Sequence, residues 1–407
     1  MSDRTVSPLD DVVSDQYVRW PYPQPIRDIP VWLKDSWQWF DPSRAHRMFW
    51  PDRPYLPEID ILIAGCGTNQ GAVFAYTNPE AKVVAIDVSQ PSLEHHQFLK
   101  DKYSLRNLEL HLLPVEEVSS LNLDFDLIVS TGVLHCLAQP IIGMRALAKC
   151  LKRDGVMALM LYAKYGRIGV EILQSVFRDL GFSQNDASLL MVRDILKVLP
   201  QNHPIKGYMS IAGDLHFDAG LVDTFLHGRE KTYSVDDCIN LVKSAGLAFQ
   251  DLFLKSPYYP PHDVQSPFYA FVASLPEERQ WSIMERINFS NACHFFTACR
   301  KDRMVESYKV DFQTDAILDS VPSFRHRCEL IGTTFSRNKC NILLNPVETA
   351  LIRQVDGTRT LREIFKEASM SDGLSGKTLS EVAVEGRTIF QKFWRLDFLS
   401  MGLKPMF

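Results

Sequence analysis

The chain has 407 residues, 46% of them hydrophobic and 23% charged, which provides for about two to three domains with ordinary buried cores and excludes a disordered or fibrous protein. Its formal charge of −5, with no long basic run, excludes the electrostatic footprint of a nucleic-acid binder. No apolar run reaches the roughly 18 residues of a membrane helix and MSDRTVSPLDDVVSDQ has no apolar signal region, so a cytoplasmic protein with no nucleic-acid or membrane partner is expected.

Five of the seven tryptophans, Trp20, Trp32, Trp37, Trp39 and Trp50, are interleaved with Pro21, Pro23, Pro25, Pro30, Pro42 and Pro51. A segment 1–54 of this kind cannot be one long helix and carries too many large rings to float free. It is expected to wrap the body of the protein, as packing or as a lid over a site. From Ile59 strand and helix signals alternate. IDILIAG (59–65), AKVVAID (81–87), NLELHLL (107–113), FDLIVS (125–130) and GVMALMLYA (155–163) are short apolar runs separated by helical spacing. Fully apolar strands with helical connections predict a parallel sheet covered on both faces.

Residues 164–230 read as a helical insertion, and YSVDDCINLVKSAGLAF (233–249) as a helix opened by Ser234 and closed by Gly246. AFQDLFL (248–254) and FYAFVAS (268–274) are expected as the sixth and seventh strands. After Pro276 the alternation is lost. CNILLNPVETALIRQVDGTRTLREIFKEA (340–368) predicts a strand, a helix, an Asp356-Gly357 turn and a second helix capped near Thr358 or Thr360. The expected fold is α/β: a Rossmann-like seven-stranded sheet with helices on both faces over 55–275, then a small α+β, winged-helix-like domain over 276–407. The eight cysteines form no CxxC pair, and Cys293, His294 and Cys299 lack the paired spacing of structural zinc motifs, so reduced thiols and no metal are expected.

The turn after the first strand, Gly65-Cys66-Gly67-Thr68-Asn69-Gln70-Gly71, lets a ligand approach the backbone at a helix N-terminus. A dinucleotide fingerprint requires glycine where Gln70 stands, which counts against NAD. Asp87 lies 22 residues after Gly65, where a carboxylate accepts hydrogen bonds from a ribose, or caps the next helix. Strand three ends near Val115, Glu116 and Glu117 and strand four at Ser130 to His135, so all four strand ends converge on one sheet edge.

The ordered series ILIAGCGTNQG, VVAID, VEEV and FDLIVSTGVLHCL resembles the motifs of class I S-adenosylmethionine-dependent methyltransferases. The resemblance implies S-adenosyl-L-methionine as cofactor, with Gly65, Cys66 and Gly67 at its methionine part, Asp87 at the ribose, Val115 and Glu116 toward adenine, and Ser130, Thr131 and Gly132 beside the sulfonium. Asn69, Gln70 and Val88 complete the expected cofactor contacts. Two positions depart from the family pattern: Ile63 and Pro114 stand where acids are common. His135 is the candidate proton acceptor, or else caps a turn; Tyr17, Tyr22, Tyr162 and Tyr165 are candidates for the acceptor wall, of which Tyr22 and Tyr162 join His135 as catalytic candidates.

A looser similarity links YVRWPYPQPI, LYAKYGRIGVEILQSVFRDL and VDTFLHGREKTYSVDDCINLVKSAGLAF to bacterial protein-lysine methyltransferases that carry a C-terminal regulatory domain. It implies a peptide or protein acceptor near His216, Asp218, Asp223 and His227, with Asp218 and Asp223 either attracting its cation or serving as surface charges. NPVETALIRQVDGTRTLREIF also resembles small winged-helix modules that grip peptides in ribosomal-peptide modification, the alternative being a dimerisation or packing module. The expected function is methyl transfer to a peptide or protein nitrogen or a small molecule, by a chain that can form homodimers. A non-catalytic cofactor-binding subunit and an NAD-dependent oxidoreductase are the competing readings.

Overall fold

The computed structural model describes residues 8–337, 340–370, 374 and 376–403. The chain divides into two compact units, one of Met1–Trp39, Pro57–Phe249 and Glu277–Asp302, the other of Phe40–Leu56, Gln250–Pro276 and Arg303–Phe407. Strands β1 (Asp60–Ala64), β2 (Lys82–Asp87), β3 (Leu108–Leu112), β4 (Phe125–Thr131), β5 (Leu151–Tyr162), β6 (Leu247–Leu252) and β7 (Cys293–Arg300) form one sheet in the order β3-β2-β1-β4-β5-β7-β6. Strands β1 to β5 run parallel, and β7 lies antiparallel to β5.

A strand with partners on both edges and helices on both faces has no wet side. Its sequence is then apolar throughout instead of alternating. Ile61, Leu62, Ile63, Val83, Val84, Leu127, Ile128 and Val129 are accordingly fully buried, whereas the edge strand β3 keeps Glu109 and Leu112 exposed. Strand order reverses between β1 and β4, and the crevice at their carboxyl ends is where such sheets bind ligands. The insertion folds as helices Ile168–Asp179, Asp186–Val198, Ile205–Met209 and Asp218–Phe225 around an apolar cluster that includes Val170, Phe177, Val192, Leu221 and Phe225. Ser234 opens the helix Val235–Ser244 with a capping box, and Gly246 leaves it at φ +82°.

One strand differs from the sequence reading. FYAFVAS forms the helix Pro267–Ala273, with Pro267 in its first turn, where a missing N–H is no loss. The sheet is completed instead by Cys293–Arg300, beyond the point at which the sequence places the end of the domain. A short apolar run has no period long enough to separate strand from helix, and the proline ahead of this one decides for helix. Phe296 in β7 is fully buried against Phe249, while Phe271 in the helix is 64% exposed.

The second unit is small and α+β. Its strands are β8 (Val321–Phe324), β9 (Cys328–Ile331), β10 (Thr334–Arg337), β11 (Cys340–Leu343) and β12 (Leu399–Gly402), arranged as a three-stranded β11-β10-β9 sheet and a β12-β8 pair. Helices Pro346–Ile352, Leu361–Ala368 and Leu379–Arg395 pack with them around Phe335, Phe365, Phe390 and Phe393. Thr360 caps Leu361–Ala368 through a reciprocal bond set with Glu363, at one of the two positions expected from the sequence. Among the described residues no helix is long and apolar enough to cross a membrane.

Phe296→Ala is expected to destabilise the first unit by about 3–5 kcal/mol, as loss of a buried ring from a packed core does. Phe271→Ala should stay within about 0.5 kcal/mol. Urea unfolding followed by tryptophan fluorescence compares the two.

Candidate active site

The site begins where β1 stops. Gly65 and Gly67 turn the chain at φ +79° and +53°, and the N–H groups of Gly65 and Cys66 donate to the Ile86 carbonyl at 2.9 and 3.0 Å. A Cβ at Gly67 would stand 2.8 Å from both the Tyr22 carbonyl oxygen and Pro23 Cδ, so only glycine lets the turn pass beneath the N-terminal segment. The Gly67 N–H donates to Asp87 Oδ2 at 2.8 Å and the Ser89 N–H to Oδ1 at 2.9 Å. Burial pushes the Asp87 carboxyl up to about 6, against the lowering effect of these N–H donors.

Around this turn lies a cavity of about 680 Å³. Of the expected cofactor contacts, Gly65, Cys66, Gly67, Asn69, Gln70, Asp87, Val88, Val115, Glu116, Thr131 and Gly132 line it; Ser130 does not, its hydroxyl donating to the Ala64 carbonyl inside the sheet. The N-terminal segment contributes Tyr17, Tyr22, Pro23, Trp32, Trp37 and Trp39 to the walls. Among the bonds that hold that segment in place are those from Ser89 Oγ to the Tyr17 carbonyl (2.9 Å), Thr68 Oγ1 to the Pro23 carbonyl (2.7 Å) and His95 Nε2 to the Ile26 carbonyl (2.7 Å).

A second cluster lines the same cavity. Asp223 is buried, its Oδ1 accepting from the Tyr17 hydroxyl at 2.7 Å and its Oδ2 from the Tyr162 hydroxyl at 3.2 Å, while the Tyr22 hydroxyl donates to Asp214 at 2.8 Å. Desolvation raises the Asp223 carboxyl, and it raises all three phenols well above their ordinary value. The walls carry five carboxylates (Asp11, Asp87, Glu116, Asp214, Asp223) and one guanidinium, Arg229, which pairs with Asp11. A cationic ligand is favoured in such a cavity.

Of the three catalytic candidates, Tyr22 and Tyr162 reach the cavity and His135 does not. His135 is buried behind Tyr162, its ring stacked on the phenol at 4.1 Å, and neither ring nitrogen has a hydrogen-bond partner among the described residues. Desolvation, reinforced by Arg167 and His227, holds the imidazole well below its ordinary value. A base needs access to the proton it removes, and His135 lacks it. His216 and Asp218 are exposed, Asp218 pairing with Arg193. Sequence reasoning missed Asp214, Gln38 and Arg229, which line the cavity, and Arg167 and Glu230, a buried ion pair at 2.9 Å behind Tyr162. An isolated Arg or Glu in an insertion carries no local signal of burial.

An adenosyl sulfonium ligand fits what is present. Glycines leave the backbone open, Asp87 presents a carboxylate to the cavity, Val88, Leu113 and Val115 offer apolar wall, and the charge balance suits a cation. Residues 62–157 match the methyltransferase domain family. The chain carries a class I, S-adenosylmethionine-dependent methyltransferase domain. In fold the chain resembles, at 15% identity and a TM-score of 0.64, the structure of PKMT2 from Rickettsia typhi in complex with AdoHcy, covering 89% of this chain and 75% of that one. A second PKMT2 structure from Rickettsia typhi gives the same TM-score over 86% and 72% of the two chains. An uncharacterized protein of a Synechococcus species is 29% identical over 249 residues, 59% of this chain; the match likewise spans 59% of that relative's length.

For the methyltransferase domain, Asp87→Ala is expected to weaken S-adenosylhomocysteine by at least tenfold in calorimetric titration, since ribose hydroxyls lose an ionised acceptor (about 1.5–3 kcal/mol for a bond to a charged group). The protonated carboxyl accepts less well. Affinity of the unaltered protein should therefore fall as pH is lowered through about 6, and a flat profile between about pH 5 and about pH 8 would refute the role of Asp87.

Proposed function

We propose that the chain transfers the methyl group of S-adenosylmethionine to an amine nitrogen of a peptide or protein in the cytoplasm. The observation that carries this reading is the Asp223 and Asp214 cluster with its three tyrosines, placed in the same cavity as the glycine turn. A bound S-adenosylmethionine supplies an electrophilic methyl group on a sulfonium. Gly65, Gly67, Asn69 and Gln70 would hold its methionine part, Asp87 its ribose, and Val88, Val115 and Glu116 its adenine side. Gln70 Nε2 lies 3.3 Å from Thr131 Oγ1, which ties the glycine turn to the end of β4.

The chain's own residues then have two tasks. An amine arrives as an ammonium, and carboxylates, phenol oxygens and aromatic faces stabilise it on entry. It must then lose a proton before its lone pair can attack, and in-line displacement gains most from alignment and exclusion of water. The N-terminal segment from Pro8 to Trp39, with Trp32, Trp37 and Trp39 on the cavity wall, is read as the lid that excludes water. The PKMT2 likeness over 89% of the chain supports reading 276–407 as part of the same enzyme, a winged-helix-like module that presents or selects the acceptor.

The test incubates the full chain with S-adenosylmethionine and a mixture of lysine-containing peptides, in parallel with the same peptides carrying arginine for lysine. Release of S-adenosylhomocysteine and methylated peptide with the lysine set alone is the expected outcome. Turnover only with free small amines would move the acceptor to the metabolites, and cofactor binding without turnover on any amine would favour a non-catalytic subunit.

A further inference from the structure

We infer that Asp223, and not His135, takes the proton from the acceptor, and that His227 is a positioning residue that orients the Tyr17 hydroxyl toward it; this rests on the amine reading above. Asp223 sits on the helix Asp218–Phe225, and His227 follows one turn later. The backbone N–H of Arg229 donates to His227 Nδ1 at 3.0 Å, which places the ring proton on Nε2. That nitrogen lies 3.2 Å from Tyr17 Oη, 3.5 Å from Cys136 Sγ and 4.0 Å from Asp223 Oδ1. With its oxygen facing an N–H, the Tyr17 hydroxyl turns its own proton to Asp223 Oδ1 at 2.7 Å. The Tyr162 hydroxyl does the same for Oδ2. Two phenols thus hold the carboxylate in one orientation, and each oxygen keeps a lone pair for an incoming N–H.

The ring behind Tyr162 is held as firmly. Arg167 lies 3.7 Å over the phenol face, while its guanidinium is anchored by Glu230 and by the Tyr208 hydroxyl at 2.8 Å. The charged and titratable groups facing Asp223 are Tyr17, Tyr22, Tyr162, His227, Cys136, Glu230 and Arg167. Burial keeps the thiol of Cys136 neutral, and Arg167 and Glu230 cancel each other at close range. Asp223 is the lining carboxylate that this set orients. In the step, an ammonium N–H proton passes to the Asp223 carboxylate, and the freed lone pair forms the N–C bond as the C–S electron pair returns to sulfur. The neutral acid then loses its proton to water.

The experiment uses the full chain, S-adenosylmethionine and a lysine peptide, with Asp223→Asn, His227→Leu and His227→Gln. Asp223→Asn should keep its affinity for S-adenosylhomocysteine and lose about 10²-fold in turnover at about pH 7. That deficit should shrink at least tenfold by about pH 9.5, where a sizeable share of a lysine amine is already free. His227→Leu should lower turnover, and His227→Gln, which can return an N–H near the Nε2 position, should restore most of it. Infrared titration of the ligand-free protein supplies a readout without turnover: among the buried carboxyls that ionise above the ordinary aspartate range, Asp87 included, one signal is lost in Asp223→Asn and is displaced in His227→Leu but not in His227→Gln, while the others stay. An Asp223→Asn deficit below threefold, or one independent of pH, overturns the proposal while leaving the methyltransferase reading intact. Absence of turnover by the unaltered protein overturns that reading, and identical infrared titrations of unaltered and Asp223→Asn protein overturn the assignment of Asp223 whether or not turnover occurs.

Discussion

The hydrogen bond from the Gly67 N–H to the Asp87 carboxylate, 2.8 Å long, joins the end of β1 to the end of β2 and sets the geometry on which the cavity depends. It forms only because Gly67 can adopt φ +53° and because nothing larger than hydrogen fits beneath the Tyr22 carbonyl. The carboxylate is held at a cost, since burial raises it to about 6. An adenosyl ligand that donates hydroxyl protons to it offsets part of that cost, so ligand affinity and the local energetics of the empty turn are coupled. The sheet supplies the rigidity: Ile63 and Ala85, paired across β1 and β2 in register, are both fully buried.

The cavity walls are completed by residues distant in sequence. Tyr17 and Tyr22 come from the first helix and the Pro-rich stretch after it, Asp214 and Asp223 from the insertion, and Thr131 and Gly132 from the exit of β4. The N-terminal segment is tied to the domain both by backbone carbonyls that accept from Ser89, Thr68 and His95 side chains and by the side chains of Asp11, Tyr17 and Tyr22, which bond Arg229, Asp223 and Asp214. Its tryptophans are then free to serve as wall.

Much of the sheet was legible because doubly covered strands write themselves as unbroken apolar runs bounded by Gly or Asp. IDILIA and FDLIVS leave little else to read. The seventh strand was not legible for the same physical reason in reverse: CHFFTACR carries His, Thr and Arg among its rings, and FYAFVAS offered a cleaner run that its leading proline commits to a helix. Local turn chemistry marks the strand ends, so eleven of the twelve residues expected to contact a cofactor line the cavity. The residues that the insertion contributes carry no such signal. Asp218 and Asp223 are five residues apart on one short helix, and only the tertiary packing that buries one and leaves the other to Arg193 tells them apart.

His135 shows why a residue type at the right strand end is weak evidence for chemistry. Its ring and the Arg167 guanidinium both pack against Tyr162, the former at 4.1 Å between ring centroids and the latter 3.7 Å from the phenol centroid. Were the imidazole charged, two cations would share one phenol in a space with little water, and Glu230 is already paired with Arg167. Burial instead keeps His135 neutral, so it can serve as an aromatic plate behind Tyr162 while the guanidinium provides the charge. The orphaned ring nitrogens are the penalty for that role, since a buried polar group without a partner costs about 1–3 kcal/mol. What the arrangement secures is the direction of the Tyr162 hydroxyl, and through it the Oδ2 side of Asp223. A histidine at the end of β4 thus stands behind the cavity wall, against Tyr162 and not against the cavity itself.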